Sequence, residues 1–241
     1  QQADTIMQIR RTKIIATLGP ATDPPDVLRG VIEAGADILR INLSHGSHEE
    51  QAARAKQVRE VARGLNREVA ILADLRGPKI RIESFIDGSV TLQSGDVFTL
   101  DASDQPAPGN KSRVGLTYKG LAGDVSPGDL LMLDDGLLTM RVVEIKAKEI
   151  FCEVETGGIL RNRKGINVKG GGLSLPGIAA HDIEDIPRVA AMGADYLAVS
   201  FPRNADDMNE ARRRLRKAGS RAQLVAKIER TEAITNLEEI I

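Results

Sequence analysis

Four segments of the sequence end an apolar run on charged or polar side chains. The most charged is ADLRGPKIR, residues 73–81, which follows the apolar run 69–72 and sets one carboxylate and three cations around a Gly-Pro break. The other three are RINLSHG (40–46), AVSFPR (198–203) and VAKIER (225–230). Core strands do not usually end in this way, so we treat the four segments together as a candidate site.

The spacing within these segments favours a site for cations and phosphate. Asn42 and Ser44 lie two residues apart, on the strand face that also carries Arg40, and beside an Asp74 carboxylate their oxygens suit a hard cation. Lys227 and Glu229 share a face in the same way, which sets an ammonium beside a carboxylate that can hold a divalent metal. Fixed cations with metal-binding oxygens are what phosphoryl transfer requires, because its catalysis is mostly positioning and charge stabilisation.

Structural interpretations of these side chains stay open. A single strand-end Arg or Lys is usually a solvated ion-pair partner, and Asn42 and Ser44 can simply cap the following turn. Gly170-Gly171-Gly172 lacks the Lys-Ser/Thr and the strand-loop-helix setting of a phosphate loop, so a hinge or lid tip is the better interpretation. The histidines are also interpreted as structural: His45, His48 and His181.

Strand and helix patterns alternate at both ends of the chain. Predicted strands cover 13–18, 37–43, 69–74, 195–200 and 223–228, and helices start near 23, 47, 182, 207 and 231. Asp23 with Pro24 is an N-cap and first-turn pair, and Ser47 with Glu50 is a capping box. This alternation predicts parallel pairing in an α/β fold, specifically a (β/α)8 TIM barrel, where sites lie at the carboxyl ends of the strands.

Between residues 82 and 177 short alternating runs and turn signals replace the helices, which predicts an inserted small all-β barrel. The predicted domains are therefore 1–81 and 178–241 of the barrel and 82–177 of the insertion. Only five barrel strands are counted where a closed barrel needs eight. We expect the chain to be the N-terminal part of something longer.

Composition bounds the function class. Hydrophobic residues make up 41% and charged residues 28%, which is ordinary for a globular protein. The formal net charge is −1, so no overall electrostatic field attracts nucleic acid or an anionic membrane. Cys152 is the single cysteine, which predicts a buried core residue and suits a reducing cytosol. Residues 1–13 have no apolar core, so we expect neither a signal peptide nor an anchor there.

Six stretches together resemble the pyruvate kinase family. They are TKIIATLGPAT, RINLSHGSHEE, ADLRGPKIR, RKGIN, YLAVSFPR and AKIER, in the family's order over about residues 11–241. The predicted all-β insertion lies where the family's lid domain lies. Any one motif alone is weak, whereas the set is highly specific.

The resemblance implies transfer of the phosphoryl group of phosphoenolpyruvate to ADP, giving pyruvate and ATP, by a cytoplasmic homotetramer. Arg40 and Lys227 would bind the moving phosphoryl group, and Lys227 would stabilise the transition state. Glu229 would be a ligand of the essential divalent metal, Mg²⁺ or Mn²⁺. Arg81 and Lys164 would contact the nucleotide phosphates, although the stretch after Lys164 is longer here than in many members.

The resemblance also implies a monovalent cation site made by Asn42, Ser44, Asp74 and the carbonyl of Leu75, with Asn42 near the nucleotide as well. Potassium-dependent members tend to carry Thr and Glu where this chain has Leu75 and Lys79. A tethered ammonium can supply the charge of a bound K⁺, so the hypothesis is that Lys79 replaces the ion and K⁺ is not required. A surface lysine beside a K⁺-filled site is the alternative.

Two other functions stay open from the residues alone. One is a metal-dependent barrel aldolase or lyase acting on pyruvate-like enolates, which would not need Arg81, Lys164 or a lid. The other is a non-catalytic module that binds phosphometabolites. The family's second Mg²⁺-ligating Asp and the Thr linked to enol protonation would lie beyond Ile241, so we expect no catalysis from this chain by itself.

Overall fold

The computed structural model describes residues 10–241. The prediction that residues 1–13 hold neither a signal peptide nor an anchor therefore falls mostly outside the described residues. The described chain divides into two compact units. The first comprises the chain up to Gly77, Gly177–Glu229 and Asn236–Ile241, and the second comprises Pro78–Pro176 and Arg230–Thr235. The domain boundaries after residues 81 and 177 stay predictions.

The first segment alternates strands and helices, as its apolar periodicity predicts. Its elements are β1 (Ile15–Thr17), α1 (Pro25–Glu33), β2 (Ile38–Asn42), α2 (His48–Gly64) and β3 (Ala70–Asp74). The Ser47 capping box is present, since the Ser47 hydroxyl accepts from the Glu50 amide at 3.2 Å and the Glu50 carboxylate accepts from the Ser47 amide at 2.7 Å.

The prediction that Asp23 caps α1 is wrong. Pro24 is the N-cap, in an extended conformation, and the helix begins at Pro25. Asp23 therefore lies one residue too far upstream to accept from the first turn. Its carboxylate instead accepts two hydrogen bonds from the Arg54 guanidinium, at 2.6 and 2.8 Å.

The inserted segment is almost entirely β. Its elements are β4 (Ser89–Leu92), β5 (Val97–Asp101), β6 (Arg113–Gly115), α3 (Leu121–Asp124), β7 (Leu130–Leu133), β8 (Leu138–Lys146), β9 (Glu149–Thr156), β10 (Gly158–Arg161) and β11 (Ile166–Val168). They form a six-stranded sheet in the order β11-β7-β8-β9-β5-β6 and a two-stranded β10-β4 sheet. The single turn α3 is the one helix in this segment, where the sequence predicts none.

The chain then returns to strand-helix alternation. Its last elements are α4 (Ala180–Ala191), β12 (Tyr196–Ser200), α5 (Ala205–Lys217), β13 (Gln223–Lys227), α6 (Thr231–Thr235) and α7 (Leu237–Ile240). The helix expected from residue 231 is broken at Asn236, whose backbone leaves the helical region and whose side-chain amide donates to the Arg203 carbonyl at 3.0 Å.

The strands of the first unit form one parallel sheet in the order β1-β2-β3-β12-β13. Although the whole insertion separates β3 from β12 in sequence, the two strands are direct neighbours. Helices cover the apolar residues of this sheet, where Leu39, Ile71, Leu197 and Val199 are each fully buried. The fold is therefore part of a (β/α)8 barrel interrupted by an all-β insertion, as the sequence predicts.

Candidate active site

Strand register brings the four polar segments to one edge of the parallel sheet. Asn42 is paired with Asp74, Asp74 with Ala198, and Ser200 with Lys227. Asn42, Asp74, Ser200 and Lys227 are the last residues of their strands, and barrel enzymes place their sites at this carboxyl edge. This register confirms a common edge for the ends of β2, β3, β12 and β13, whereas the predicted convergence of Lys79 and Arg81 on the same edge stays a prediction.

Asp74 is at the centre of this edge. Its side chain is 2% exposed and accepts from the Arg40 guanidinium, with Nε at 2.8 Å and Nη2 at 2.5 Å from Oδ2. The Lys227 ammonium lies 3.2 Å from Oδ1 and 3.3 Å from Oδ2. Burying a carboxylate is costly unless it is paired and hydrogen-bonded, and here two cations supply that compensation.

The Ser200 hydroxyl connects Lys227 to the end of β3. It is buried, lies 2.9 Å from the Lys227 Nζ, and lies 2.7 Å from the Leu75 carbonyl and 3.3 Å from Asp74 Oδ1. A hydroxyl has one proton, so it donates to the nearer Leu75 oxygen and accepts from the ammonium. The motif AVSFPR includes Ser200 among the strand-end groups, but the sequence alone assigns this hydroxyl no particular role.

Glu229 lies two residues beyond the end of β13, not on its face as predicted, and its side chain is 33% exposed. Its Oε1 lies 3.4 Å from the Lys227 Nζ, and its Oε2 accepts from the Phe201 amide at 3.3 Å. Phe201 has a φ of +57°, which is uncommon for a bulky residue and costs local strain. That strained turn directs a backbone N–H at the Glu229 carboxylate.

Asn42 and Ser44 form a local turn. The Asn42 Oδ1 accepts from the Ser44 amide at 3.0 Å, which is the capping interpretation that the sequence leaves open. Two further oxygens of the predicted monovalent cation site, the Asp74 carboxylate and the Leu75 carbonyl, also have partners within the protein. A cation at these oxygens would therefore replace existing hydrogen bonds.

The fit to a divalent metal depends on Glu229. Across residues 10–241 no three or more His, Cys, Asp or Glu side chains are grouped to hold a metal ion. Mg²⁺, however, is commonly held by one or two carboxylates, substrate phosphates and water, without a complete protein cage. A partly exposed carboxylate whose protein contacts are 3.3 and 3.4 Å long fits that mode of binding.

The second unit brings together three of its own predicted site residues on adjoining segments. Arg81 pairs with Gly165 in a β-bridge, and the Ile82 amide donates to the Lys164 carbonyl at 3.0 Å. The Lys79 side chain lies against the same segment, since a Cβ built on Gly165 would lie 3.4 Å from the Lys79 Cε. Lys164 is ion-paired with Asp134 at 2.8 Å, and Arg81 donates to the Arg163 carbonyl at 2.7 Å. Because Lys79 belongs to this unit and Asp74 to the other, their predicted pairing stays a prediction.

A five-stranded parallel sheet covered by helices, with an Arg-carboxylate-Lys cluster at its strand ends, places the chain in the class of (β/α) barrel proteins. Residues 9–241 match the family model described as "Pyruvate kinase, barrel domain". The chain belongs to the pyruvate kinase family.

Curated relatives agree with this assignment. The chain is 53% identical over 227 residues to "Pyruvate kinase II" of Salmonella typhimurium, which covers 94% of this chain and 47% of that protein. It is 50% identical to "Pyruvate kinase" of Buchnera aphidicola subsp. Schizaphis graminum, over 94% of this chain and 47% of that protein. It is 47% identical to "Pyruvate kinase" of Haemophilus influenzae, over 96% of this chain and 48% of that protein. The chain thus spans about half the length of these relatives.

None of the helices in residues 10–241 is long and apolar enough to cross a bilayer.

Proposed function

We propose that the complete protein transfers the phosphoryl group of phosphoenolpyruvate to ADP, giving pyruvate and ATP. The observation that carries the proposal is the cluster of Arg40, Asp74 and Lys227 at the strand ends, within a chain of this family. Arg40, Asp74 and Lys227 sum to one positive charge, and the neighbouring Glu229 carboxylate cancels it, so an anionic phosphoryl group is bound by the two donors together with the divalent cation that we assign to Glu229.

Arg40 and Lys227 have different tasks in this mechanism. The planar Arg40 guanidinium, held by Asp74 through two nitrogens and by the Thr17 hydroxyl at 3.1 Å, binds phosphoryl oxygens with fixed geometry. The Lys227 ammonium, oriented by Asp74 and Ser200, is a compact charge that stabilises the transferring group. Positioning of this kind accounts for most of the catalysis in phosphoryl transfer.

Glu229 is the residue we assign to the divalent metal, Mg²⁺ or Mn²⁺. When bound, the metal supplies charge neutralisation of the phosphate oxygens. We assign the nucleotide phosphates to Arg81 and Lys164, and the neighbourhood of the nucleotide also to Asn42. These roles come from the family resemblance and from the proximity of the 81 and 164 segments within their own unit.

We further propose that K⁺ is not required, because the Lys79 ammonium replaces it. The proposal rests on Leu75 and Lys79 in the motif ADLRGPKIR. The first unit is consistent with a site that works without a bound ion, since Asp74 and the Leu75 carbonyl both have protein partners. A K⁺-binding site made by Asn42, Ser44, Asp74 and Leu75 is the alternative.

One assay tests both proposals. The complete gene product is given phosphoenolpyruvate, ADP and Mg²⁺ with tetramethylammonium as the only monovalent cation, and pyruvate is followed before and after K⁺ is added. Turnover without K⁺ supports both proposals, and turnover only with K⁺ keeps the kinase and rejects the role of Lys79. No turnover in either condition rejects the kinase function. The homotetramer and the cytoplasmic location stay predictions, of which light scattering tests the first.

A further inference from the structure

The segment directly after β3 is held by the first turns of α4. The Gly77 amide donates to the Asp182 Oδ1 at 3.1 Å, and the Arg76 guanidinium donates to Asp185, with Nε 3.0 Å from Oδ2. The Gly77 carbonyl lies 3.2 Å from the His181 Nε2. Three side chains of one helix therefore contact Arg76 and Gly77, the two residues that follow Asp74 and Leu75.

Both aspartates are almost completely buried, at 0% exposure for Asp182 and 1% for Asp185. Burial raises the pKa of the Asp182 carboxyl, although the amides of Ala179 and Gly77 donate to it. Carboxylates cost free energy in such positions, and apolar side chains would fill the same volume without that cost. Their hydrogen bonds to the end of β3 give these acids a specific task.

The path of this segment is tightly constrained. Gly77 has a φ of +65°, and a Cβ built on it would lie only 2.7 Å from the Ser200 Cβ. The segment therefore passes directly against the end of β12, where the Ser200 hydroxyl contacts both Leu75 and Lys227. A displacement at Gly77 would move the Leu75 carbonyl and the Asp74 carboxylate with it.

We propose that Asp182 and Asp185 are positioning residues for the active site. They fix Gly77 and Arg76, and thereby hold the Asp74 carboxylate at the distance at which it orients Arg40 and Lys227. The proposal deepens the kinase function and rests on it for its kinetic readout. A misplacement of about 1 Å at a reacting centre can lower a rate by about a hundredfold. Removing the contacts of Asp182 and Asp185 should therefore lower kcat more than it weakens substrate binding.

The test uses the complete gene product with Asp182→Ala and Arg76→Gln as loosening variants. Arg188→Gln is the matched control, because Arg188 also pairs with Asp185, at 2.9 Å, but is not among the residues that hold Gly77. We expect each loosening variant to lower kcat about tenfold, with KM for phosphoenolpyruvate within about threefold, and Arg188→Gln to stay within about twofold. Asp182→Asn keeps one acceptor for Gly77 and should recover most of kcat.

Amide hydrogen exchange, followed by NMR in the same variants, gives a readout that does not need turnover. We expect the amides of Gly77 and Leu75 to exchange about tenfold faster in Asp182→Ala and Arg76→Gln and at the wild-type rate in Arg188→Gln. Faster exchange at both amides supports the positioning role of Asp182 and Asp185 even if the wild-type protein turns over no substrate. Absence of turnover by itself rejects only the kinase function. Unchanged exchange at Leu75, or an active enzyme whose kcat withstands both loosening variants, overturns the proposal. If Asp182→Ala fails to fold, Arg76→Gln still provides the test, because the Arg76 side chain is 35% exposed.

Discussion

Asp74 holds together a group of charges that would otherwise repel. Arg40 and Lys227 both lie within 3.3 Å of the same carboxylate, and each keeps about a third of its side chain exposed. A phosphoryl group that binds this pair would compete with Asp74 for the same donors, so ligand and carboxylate share the two cations. The buried carboxylate thus keeps both donors oriented before any ligand binds, which is preorganisation in the sense used for catalysis.

Replacing Asp74 by Asn should destabilise the protein. The change removes the carboxylate that Arg40 and Lys227 share and leaves Lys227 with Glu229 at 3.4 Å. Hydrogen bonds to charged groups are worth about 1.5–3 kcal/mol, so we expect a loss of about 2 kcal/mol in the free energy of unfolding. Urea denaturation measures it. The matched control is Asp104→Asn, whose carboxylate is 81% exposed and pairs with Lys148, and which should change stability by less than about 0.5 kcal/mol. Equal losses in the two variants would contradict this account of Asp74.

Cys152 should make stability depend on alkaline pH. Burial raises the pKa of its thiol from 9.0 to about 12, so the folded protein keeps the proton where the unfolded chain releases it. The contribution is therefore complete below pH 9 and is lost as the pH rises towards 12. Between these limits the free energy of unfolding should fall by about 1.4 kcal/mol per pH unit more in the wild type than in Cys152→Ala. Parallel pH profiles for the two proteins would show that the thiol titrates normally.

At the scale of elements, the Ser47 capping box starts α2 directly after the turn that carries Asn42 and Ser44. Replacing Ser47 by Ala removes the acceptor of the Glu50 amide and should cost about 1 kcal/mol of stability. Urea denaturation of Ser47→Ala, Glu50→Ala and the double variant measures the coupling between the two residues. Strictly additive losses would mean that the reciprocal bonds contribute no coupling energy.

Local patterns were predictable where nearby residues decide the outcome. The capping box and the strand face shared by Arg40 and Asn42 depend on spacings of a few residues, and the structure has them as predicted. Ser44 and Glu229, which were predicted to extend the faces of Asn42 and Lys227, lie beyond the ends of β2 and β13. Asp23 failed as a cap because the extended Pro24 delays the start of α1. The contact between Gly77 and Asp182 joins residues 105 positions apart, and no local spacing carries that information.

The same limit applies to the site as a whole. Residue types at strand ends predicted that Arg40, Asp74 and Lys227 would meet, because parallel strands share their carboxyl edge. The predicted approach of Lys79 and Arg81 to the same edge stays a prediction. Their partners depend on side-chain packing: Ser200 reaches the Leu75 carbonyl, and Asn42 is used in its own turn. Thus the location of the site could be predicted from sequence, whereas the hydrogen-bond network within it could not.

At the scale of the whole molecule, each compact unit has its own hydrophobic core. The core of the second unit runs from Ile80 to Ile166, so its members all lie within Pro78–Pro176. Phe98, at its centre, is fully buried and lies 6.5 Å from the Phe85 ring. A segment with its own buried core and its own sheets has what a domain needs to fold independently.

We therefore expect the excised segment 78–176 to fold by itself. It should show a dispersed amide NMR spectrum and one cooperative thermal transition, with fraying confined to its last residues, because the Arg230 guanidinium that donates to the Leu173 and Leu175 carbonyls is then missing. Two variants on β5 make the test specific. Phe98→Ala should cost about 3–5 kcal/mol and unfold the segment, whereas Val97→Ala, at a side chain that is 70% exposed, should leave the transition almost unchanged. An undispersed spectrum of the wild-type segment, or equal responses to the two variants, would show that its core depends on the rest of the chain.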